Sequence, residues 1–479
     1  MTLDLSVQPI TTVNPASGDP LMQYSPHTPE QVEEIVAAVH EAYSPWARFS
    51  VSRRAEYLRA LARQLRAERE VLARQAVLEM GKPIVEARAE VDKCIWACEY
   101  YAAEGPSALA TRDVLTDASR SWVAHEPIGV VLAVMPWNFP YWQVLRFAAP
   151  TLLAGNVGIL KHSPNVTGCA LLLERVFIDA GLPPNVFRTL LVSEVEVPET
   201  IASLINDRRI AAVTLTGSER AGAAVAALAG GAIKKCVLEL GGSDPFVVLD
   251  DADLPTAAAM AVKSRFLNAG QSCLAAKRLI VHRSIFEEFV QLFVAATSML
   301  RVEDPSLESS TLGPIAREDL VKVLEKQVAA SMAAGAKLLF GGKRMDRSGF
   351  WFEPTILGDV TLDMAVMNSE TFGPVAAIIE IDDDNQAASV ANATQFGLGA
   401  SIWSMDVERA LGLGRQITSG ALFVNAVVAS DPRLPFGGTK HSGYGRELGP
   451  EGALEFTNVR TFVVKEPSTG RESRIGPGK

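Results

Sequence analysis

Near its start the chain repeats apolar positions at helical spacing. Over 28–43, Val32, Ile35, Val36, Val39, Ala42 and Tyr43 form a stripe behind Thr28, with Pro29 in the first turn and Gln31 placed for a capping box. A helix is predicted to start there. A second helix is predicted over about 52–80, with Tyr57, Leu58, Leu61 and Leu65 on one face and Gly81 and Pro83 as stop signals. The first hundred residues therefore read as largely helical. At 113–127 the pattern changes to strand-like alternation, and 459–465, Val-Arg-Thr-Phe-Val-Val-Lys, repeats it near the other end. Such outlying strands are candidates for pairing between subunits.

Between them, short apolar runs alternate with helical segments: 129–135, a helix at 140–154, a run at 157–161, a helix at 167–180, and a strand at 210–215 leading into a helix. This wiring predicts an α/β fold with parallel strands. A second series opens after Glu239, with strand 245–249, helix 254–268, strand 278–282 and helix 284–300, so a boundary near 240 is expected. The end of the chain, 468–479, carries Gly, Pro and charge without an apolar anchor and is expected to be a loose tail.

Composition narrows the function. The 479 residues suffice for two or three folding units, and 48% apolar with 21% charged residues is the composition of a folded globular chain. A net charge of −10 argues against a nucleic-acid surface, which needs clustered positive charge, and favours a small-molecule partner. The five cysteines (Cys94, Cys98, Cys169, Cys236, Cys273) show neither a paired framework nor metal-ligand spacing, so no metal site is expected and a reducing cytoplasm fits best. The segment MTLDLSVQPITT lacks a basic leader with an apolar core, and no uncharged run approaches a membrane span.

Five places carry candidate chemistry. Cys273 sits in Asn268-Ala-Gly-Gln-Ser-Cys273, between a helix and a strand, where a loop thiol is a candidate nucleophile and a buried inert thiol is the bland alternative. No histidine adjoins it, so another base is needed. Glu239, in Val237-Leu-Glu-Leu-Gly-Gly242, is a carboxylate in an apolar strand; desolvation would raise its pKa toward that of a general base, unless it faces solvent on an edge. Asn138, in Pro136-Trp-Asn-Phe-Pro140, follows an apolar run and opens a helix, suiting an oxyanion donor or a plain helix cap. Thr216-Gly-Ser218 with Gly222 offers a helix N-terminus where a phosphate could sit, although it is only half of a dinucleotide fingerprint and an N-cap explains it equally well. Lys161, at the end of a strand, suits a cofactor ribose or its 2′-phosphate. Surface exposure is the commoner fate of a lysine.

Taken together, the motifs PWNFP at 136–140, TGS at 216–218, ELGG at 239–242, GQSC at 270–273, ETFGP at 370–374 and PFGG at 435–438 resemble, in order, those of the aldehyde dehydrogenase superfamily. The resemblance implies an aldehyde-dehydrogenase-like α/β fold: a Rossmann-type cofactor domain from 1–112 and 128–240, an α/β catalytic domain at 241–445, and a small β oligomerisation element from 113–127 with 456–467, in a homodimer or homotetramer. It implies that Cys273 attacks the aldehyde carbon, that Asn138 and the Cys273 N–H hold the oxyanion, and that water deprotonated by Glu239 hydrolyses the thioester. Relatives that pass the acyl group to coenzyme A typically lack this glutamate, so hydrolysis is expected. The cofactor contacts carried over are Trp137 and Asn138 beside the nicotinamide with Leu240, Lys161, His162, Ser163 and Pro164 at the adenosine ribose, Gly217 and Ser218 near the pyrophosphate, and Glu370 with Phe372 at the nicotinamide ribose.

Substrate choice turns on the helix after Asn138, where Trp142 and Arg146 stand one turn apart and Arg146 interrupts an apolar segment. A guanidinium facing the substrate tunnel would clamp the distal carboxylate of a semialdehyde acid, with Ser272 adding a hydroxyl; alternatively it pairs with a structural carboxylate. The strings YWQVLRFAAP, LKHSPNV and GQSCLAAKR resemble the bacterial branch of the family that oxidises succinate semialdehyde. The competing readings are an oxidiser of uncharged aliphatic or aromatic aldehydes, a thioesterase, or a non-catalytic binding protein. NAD-preferring relatives often carry a glutamate where this chain has Pro164, so both cofactors are expected, with NADP favoured. Ala275 replaces the second cysteine with which many semialdehyde relatives form a redox-sensitive disulfide.

Overall fold

The capping box at Thr28 forms as predicted: Thr28 Oγ1 accepts from the Gln31 N–H at 3.3 Å, Gln31 Oε1 accepts from the Thr28 N–H at 2.9 Å, and the helix runs Pro29–Ala47. The computed structural model describes residues 8–466. The single helix expected over 52–80 is two, Val51–Ala67 and Arg69–Met80, interrupted at Glu68, whose φ of -92° and ψ of 8° leave the helical range. Gly81, at φ +74°, ends the second as its stop signal required. Helix Ile84–Ala108 then packs against Val51–Ala67 and against Trp142–Ala154, the helix that follows PWNFP. A hairpin of Ile10–Val13 with Pro20–Tyr24, not anticipated from the pattern, precedes them all.

Two sheets carry the rest. The first has six strands in the order Gly443–Tyr444, Lys235–Glu239, Ile210–Thr216, Val130–Met135, Val157–His162 and Phe187–Leu190, parallel except for the short Gly443–Tyr444 edge. Its central strands are near-continuous buried aliphatic runs, as sheets covered on both faces require. The chain builds outward from Val130–Met135 on one side, then returns to lay Ile210–Thr216 on the other. The crevice between these two strands is thus a topological switch point, where ligands sit beyond the carboxyl ends of such sheets. PWNFP and TGS leave from those two ends.

Between Glu239 and Asp244 the chain passes to a seven-stranded sheet, in the order Lys337–Phe340, Thr355–Gly358, Val375–Ile381, Ala276–His282, Asp244–Val248, Gly399–Trp403 and Ala421–Val424, with only the first strand antiparallel. ELGG, GQSC and ETFGP all enter this sheet at the amino ends of its strands. The carboxyl edge of the first sheet therefore meets the amino edge of the second. The alternating segments at 113–127 and 459–465 form Arg112–Asp113, Arg120–Pro127 and Thr457–Val464, which pair with one another within the chain; Trp122 and Phe462 stack across that ladder at 4.8 Å. The expected tail at 468–479 lies outside the described residues. Among these, no helix is long and apolar enough to cross a membrane.

Candidate active site

Where the sheet edges meet, two cavities share a wall made by Cys273 and Gln143. One, of about 520 Å³, runs over the carboxyl ends of Val130–Met135 and Ile210–Thr216. The other, of about 320 Å³, lies between helices Ile84–Ala108 and Trp142–Ala154 and is walled mainly by apolar atoms. Trp142, Arg146 and Ser272, the expected substrate contacts, all line this second cavity.

The loop that delivers Cys273 is held in an unusual backbone. Asn268, Ala269 and Gly270 take φ of +54°, +53° and +72° in succession, and each of the two non-glycine residues costs roughly 1 kcal/mol or more there. Hydrogen bonds offset the cost: Asn268 N–H donates to Glu86 Oε2 at 2.8 Å, and Asn268 Nδ2 to the Asn138 carbonyl at 2.8 Å. Gly270 must be glycine for a second reason, because a Cβ would fall 2.3 Å from the Gly373 carbonyl oxygen. Likewise a Cβ on Gly242 would stand 2.6 Å from the Cys273 carbonyl oxygen, which explains the second glycine of ELGG. Beneath the loop, the buried Lys277 donates to the carbonyls of Ser272 (3.0 Å) and Cys273 (2.9 Å) and to Glu370 Oε1 (3.1 Å). Burial pushes the Cys273 thiol up to about 12, against the pull of Arg146 and Lys277.

Asn138 is buried and its Nδ2 donates to the Gln271 carbonyl at 3.1 Å, leaving Oδ1 without a partner among the described residues. Glu239 ends its strand almost sealed from solvent. Burial, reinforced by Glu447, holds its carboxyl well above the usual carboxylate range, while Arg146 and Arg446 oppose the shift. Its Oε1 lies where a Cβ on Gly437 would come within 2.9 Å, so the carboxylate points toward the Gly437 loop. Leu240 and Gly241 line the larger cavity; Glu239 lines neither. Arg146 differs most from the clamp expected of it. Its guanidinium pairs with the buried Glu447, lies 4.8 Å over the Phe436 ring and places Nη2 3.3 Å from Thr216 Oγ1. The structural-carboxylate alternative thus describes its resting contacts.

Of the expected cofactor contacts, Trp137, Asn138, Lys161, Ser163 and Leu240 line the larger cavity, as do Gly217, Ser218, Glu370 and Phe372. Trp137 meets Phe372 edge-on at 5.7 Å. Lys161 is buried, forms no ion pair among the described residues, and is pushed down to about 8 by desolvation. Two of the expected contacts lie outside this lining. His162 does not line this cavity, because successive residues of Val157–His162 face opposite ways; its ring bridges the Ser163 N–H (2.8 Å) and the Pro140 carbonyl (2.9 Å). Pro164 is not in the lining either and starts a short 3-10 turn. Gly217 is less open than its motif suggested, since its N–H is taken by the Glu239 carbonyl at 2.9 Å, while Ser218 caps helix Glu219–Gly231.

The motifs missed Glu447, Lys277 and Lys93. Glu447 and Lys277 have no local signal. Lys93 follows Glu86 and Glu90 at helical spacing on a face that also buries Ala87, Cys94 and Ala97, and charge on such a face marks a cavity.

With the fold and the shared wall established, kinship is clear. The aldehyde dehydrogenase family model matches residues 4–462, and the chain belongs to that family. A probable NADP(+) succinate-semialdehyde dehydrogenase of Synechocystis sp. is 47% identical over 455 residues, which cover 95% of this chain and 99% of that one. The NAD(P)+ succinate semialdehyde dehydrogenase Sad of Escherichia coli is 44% identical over 460 residues, 95% of this chain and 99% of its own. The crystal structure of succinic semialdehyde dehydrogenase from Streptococcus pyogenes in complex with NADP+ matches with a TM-score of 0.91 at 34% identity, covering 95% of this chain and all of that one.

Proposed function

We propose that this protein oxidises succinate semialdehyde to succinate with NADP as preferred hydride acceptor and NAD as a second. The observation that carries this is Cys273 in the wall between a cleft at the switch point and a second, mainly apolar cavity large enough for a four-carbon aldehyde. The cleft suits a dinucleotide phosphate. Lys161 is a buried cation with no ion pair among the described residues, and Glu194 in the same lining only partly offsets its desolvation; Arg220 and Arg317 add positive charge, and an anion would compensate Lys161 further.

In this mechanism the Cys273 thiolate adds to the aldehyde carbon, forming a C–S bond and an oxyanion. One Asn138 amide hydrogen is committed to Gln271; the other is available to the oxyanion, and one such donor contributes about 3 kcal/mol. When bound, the nicotinamide supplies the acceptor for the aldehydic hydride, leaving an acyl thioester on Sγ. Glu239 swings about its side-chain bonds into the cleft and takes a proton from water, whose oxygen adds to the thioester carbon. Collapse then expels the Cys273 thiolate and releases the acid. Trp137, Leu240, Glu370 and Phe372 would hold the nicotinamide end, Lys161 and Ser163 the adenosine ribose, and Ser218 the pyrophosphate.

One observation favours the alternative of uncharged aldehydes. Arg146, the expected partner of the substrate carboxylate, is already neutralised by Glu447. The two are separated by following near-ultraviolet absorbance of reduced cofactor with succinate semialdehyde and with butanal, using Cys273→Ala as blank. A kcat/KM for butanal equal to or above that for the semialdehyde would reject the proposed substrate. The same proposal includes a cytoplasmic homo-oligomer: none of the five cysteines is bridged, and Val459 and Val463 stand 64% and 57% exposed on the edge strand Thr457–Val464.

A further inference from the structure

We propose that Lys93 binds the distal carboxylate of the substrate and sets the preference for semialdehyde acids. This deepens the function proposed above and rests on it. Lys93 lies on helix Ile84–Ala108 in the lining of the smaller cavity, the one that Cys273 also walls. Its Nζ donates to Ser430 Oγ at 2.7 Å and sits 4.5 Å over the Trp142 ring, and it forms no ion pair with any described residue. An ammonium has three hydrogens; one is used by Ser430, and two remain for a carboxylate.

The other charges around it are already committed. Arg146 is matched by Glu447. Glu90 is paired with Lys82 and accepts the Tyr141 and Trp142 N–H groups at 2.8 and 3.0 Å. Glu86 accepts the Asn268 N–H, and burial pushes its carboxyl up to about 7. Asp431, beside Ser430, is held by Arg433 at 2.7 Å. Lys263 also lines the cavity but is exposed, where water screens its charge. Lys93 is therefore the partly buried cation of this cavity that pairs with no carboxylate among the described residues, and desolvation pulls its pKa down to about 8. A carboxylate entering the cavity would relieve that cost, whereas an uncharged aldehyde would leave it in place.

The test compares Lys93→Met, Lys93→Arg and Lys263→Met with the wild type, measuring kcat/KM for succinate semialdehyde and for butanal, and inhibition by succinate. The ratio of the two kcat/KM values does not depend on the fraction of a variant that folds. In Lys93→Met this ratio is expected to fall by roughly tenfold or more, mostly through KM for the semialdehyde, with succinate inhibition weakened in parallel. Lys93→Arg should retain part of the preference. An unchanged ratio in Lys93→Met, or a larger loss in Lys263→Met, would overturn the assignment to Lys93 while leaving the substrate intact. A wild type without preference for the semialdehyde would remove the substrate itself.

Discussion

Arg146 and Glu447 form an ion pair whose side chains are 2% and 4% exposed. Breaking such a pair by removing one partner strands a buried charge and costs about 3–5 kcal/mol, whereas replacing both by apolar groups of similar volume costs far less. Arg146→Met is therefore expected to destabilise the protein by about 3 kcal/mol. Adding Glu447→Met should recover most of that loss, read as a coupling energy from urea unfolding of the two single variants and the double variant. Simple additivity would show that the contact holds nothing together. Because the pair is structural, Arg146→Met should also depress turnover of charged and uncharged aldehydes alike, unlike a change at Lys93.

Lys277 is tied to the carbonyls of Ser272 and Cys273 and to Glu370, and its positive charge is among those that draw the Cys273 thiol down from the level burial imposes. Losing it favours the protonated thiol and frees the loop. In a Cys236→Ser background, which removes the other partly exposed thiol, Lys277→Met is expected to slow alkylation of Cys273 by iodoacetamide at mildly alkaline pH by about tenfold, one pKa unit of lost charge stabilisation. An alkylation rate and pH profile matching the wild type would mean that Lys277 neither lowers the thiol pKa nor positions the loop.

What could be read from the chain follows physical lines. The loops of Asn138 and Gly217 were legible because each breaks an apolar run at the carboxyl end of a strand, and that of Cys273 because a glycine and polar residues interrupt the chain between a helix and a strand. The parallel wiring was legible because fully buried strands leave unmistakable runs such as Val130–Met135. The break at Glu68 was not, since no glycine or proline marks it. The partner of Arg146 was hidden because Glu447 belongs to a distant loop brought in by the strand Gly443–Tyr444 pairing beside Lys235–Glu239. The place of His162 outside the cleft lining follows from a pattern the sequence does contain: alternation along a strand turns the Lys161 and His162 side chains to opposite faces.

His162 has a structural role that pH can expose. Its Nε2–H donates to the Pro140 carbonyl and its Nδ1 accepts from Ser163, so the neutral ring is the form the fold accommodates. Burial pushes its pKa down to about 4 from 6.5. Between those values the unfolded chain binds the proton and the folded one does not, so this contribution to stability is present above pH 6.5 and is lost as pH falls toward 4. The loss amounts to about 3 kcal/mol. Asp244 and Glu86, both pushed up to about 7 by burial, act in the opposite sense but equally in wild type and variant. The stability gap between wild type and His162→Gln, measured by urea unfolding across that range, is therefore expected to narrow on acidification. A constant gap would contradict a buried neutral ring.

Glu239 ends strand Lys235–Glu239 with its carboxylate directed at the Gly437 loop, one residue from Leu240 in the cleft wall. If it acts only on the hydrolytic water, its removal leaves thiolate attack and hydride loss intact. Glu239→Gln is then expected to give a stoichiometric burst of reduced cofactor followed by a steady state slower by roughly 10²–10⁴, the usual worth of a general base. Burial holds the carboxyl above the ordinary carboxylate range, so the wild-type steady state should rise with pH above that range, and the variant should lose this limb. A purely structural role predicts something different: burst and steady state would fall together and the pH limb would survive. Loss of the burst with the fold retained would instead place Glu239 earlier, as the base that deprotonates a Cys273 thiol held near 12 by its surroundings.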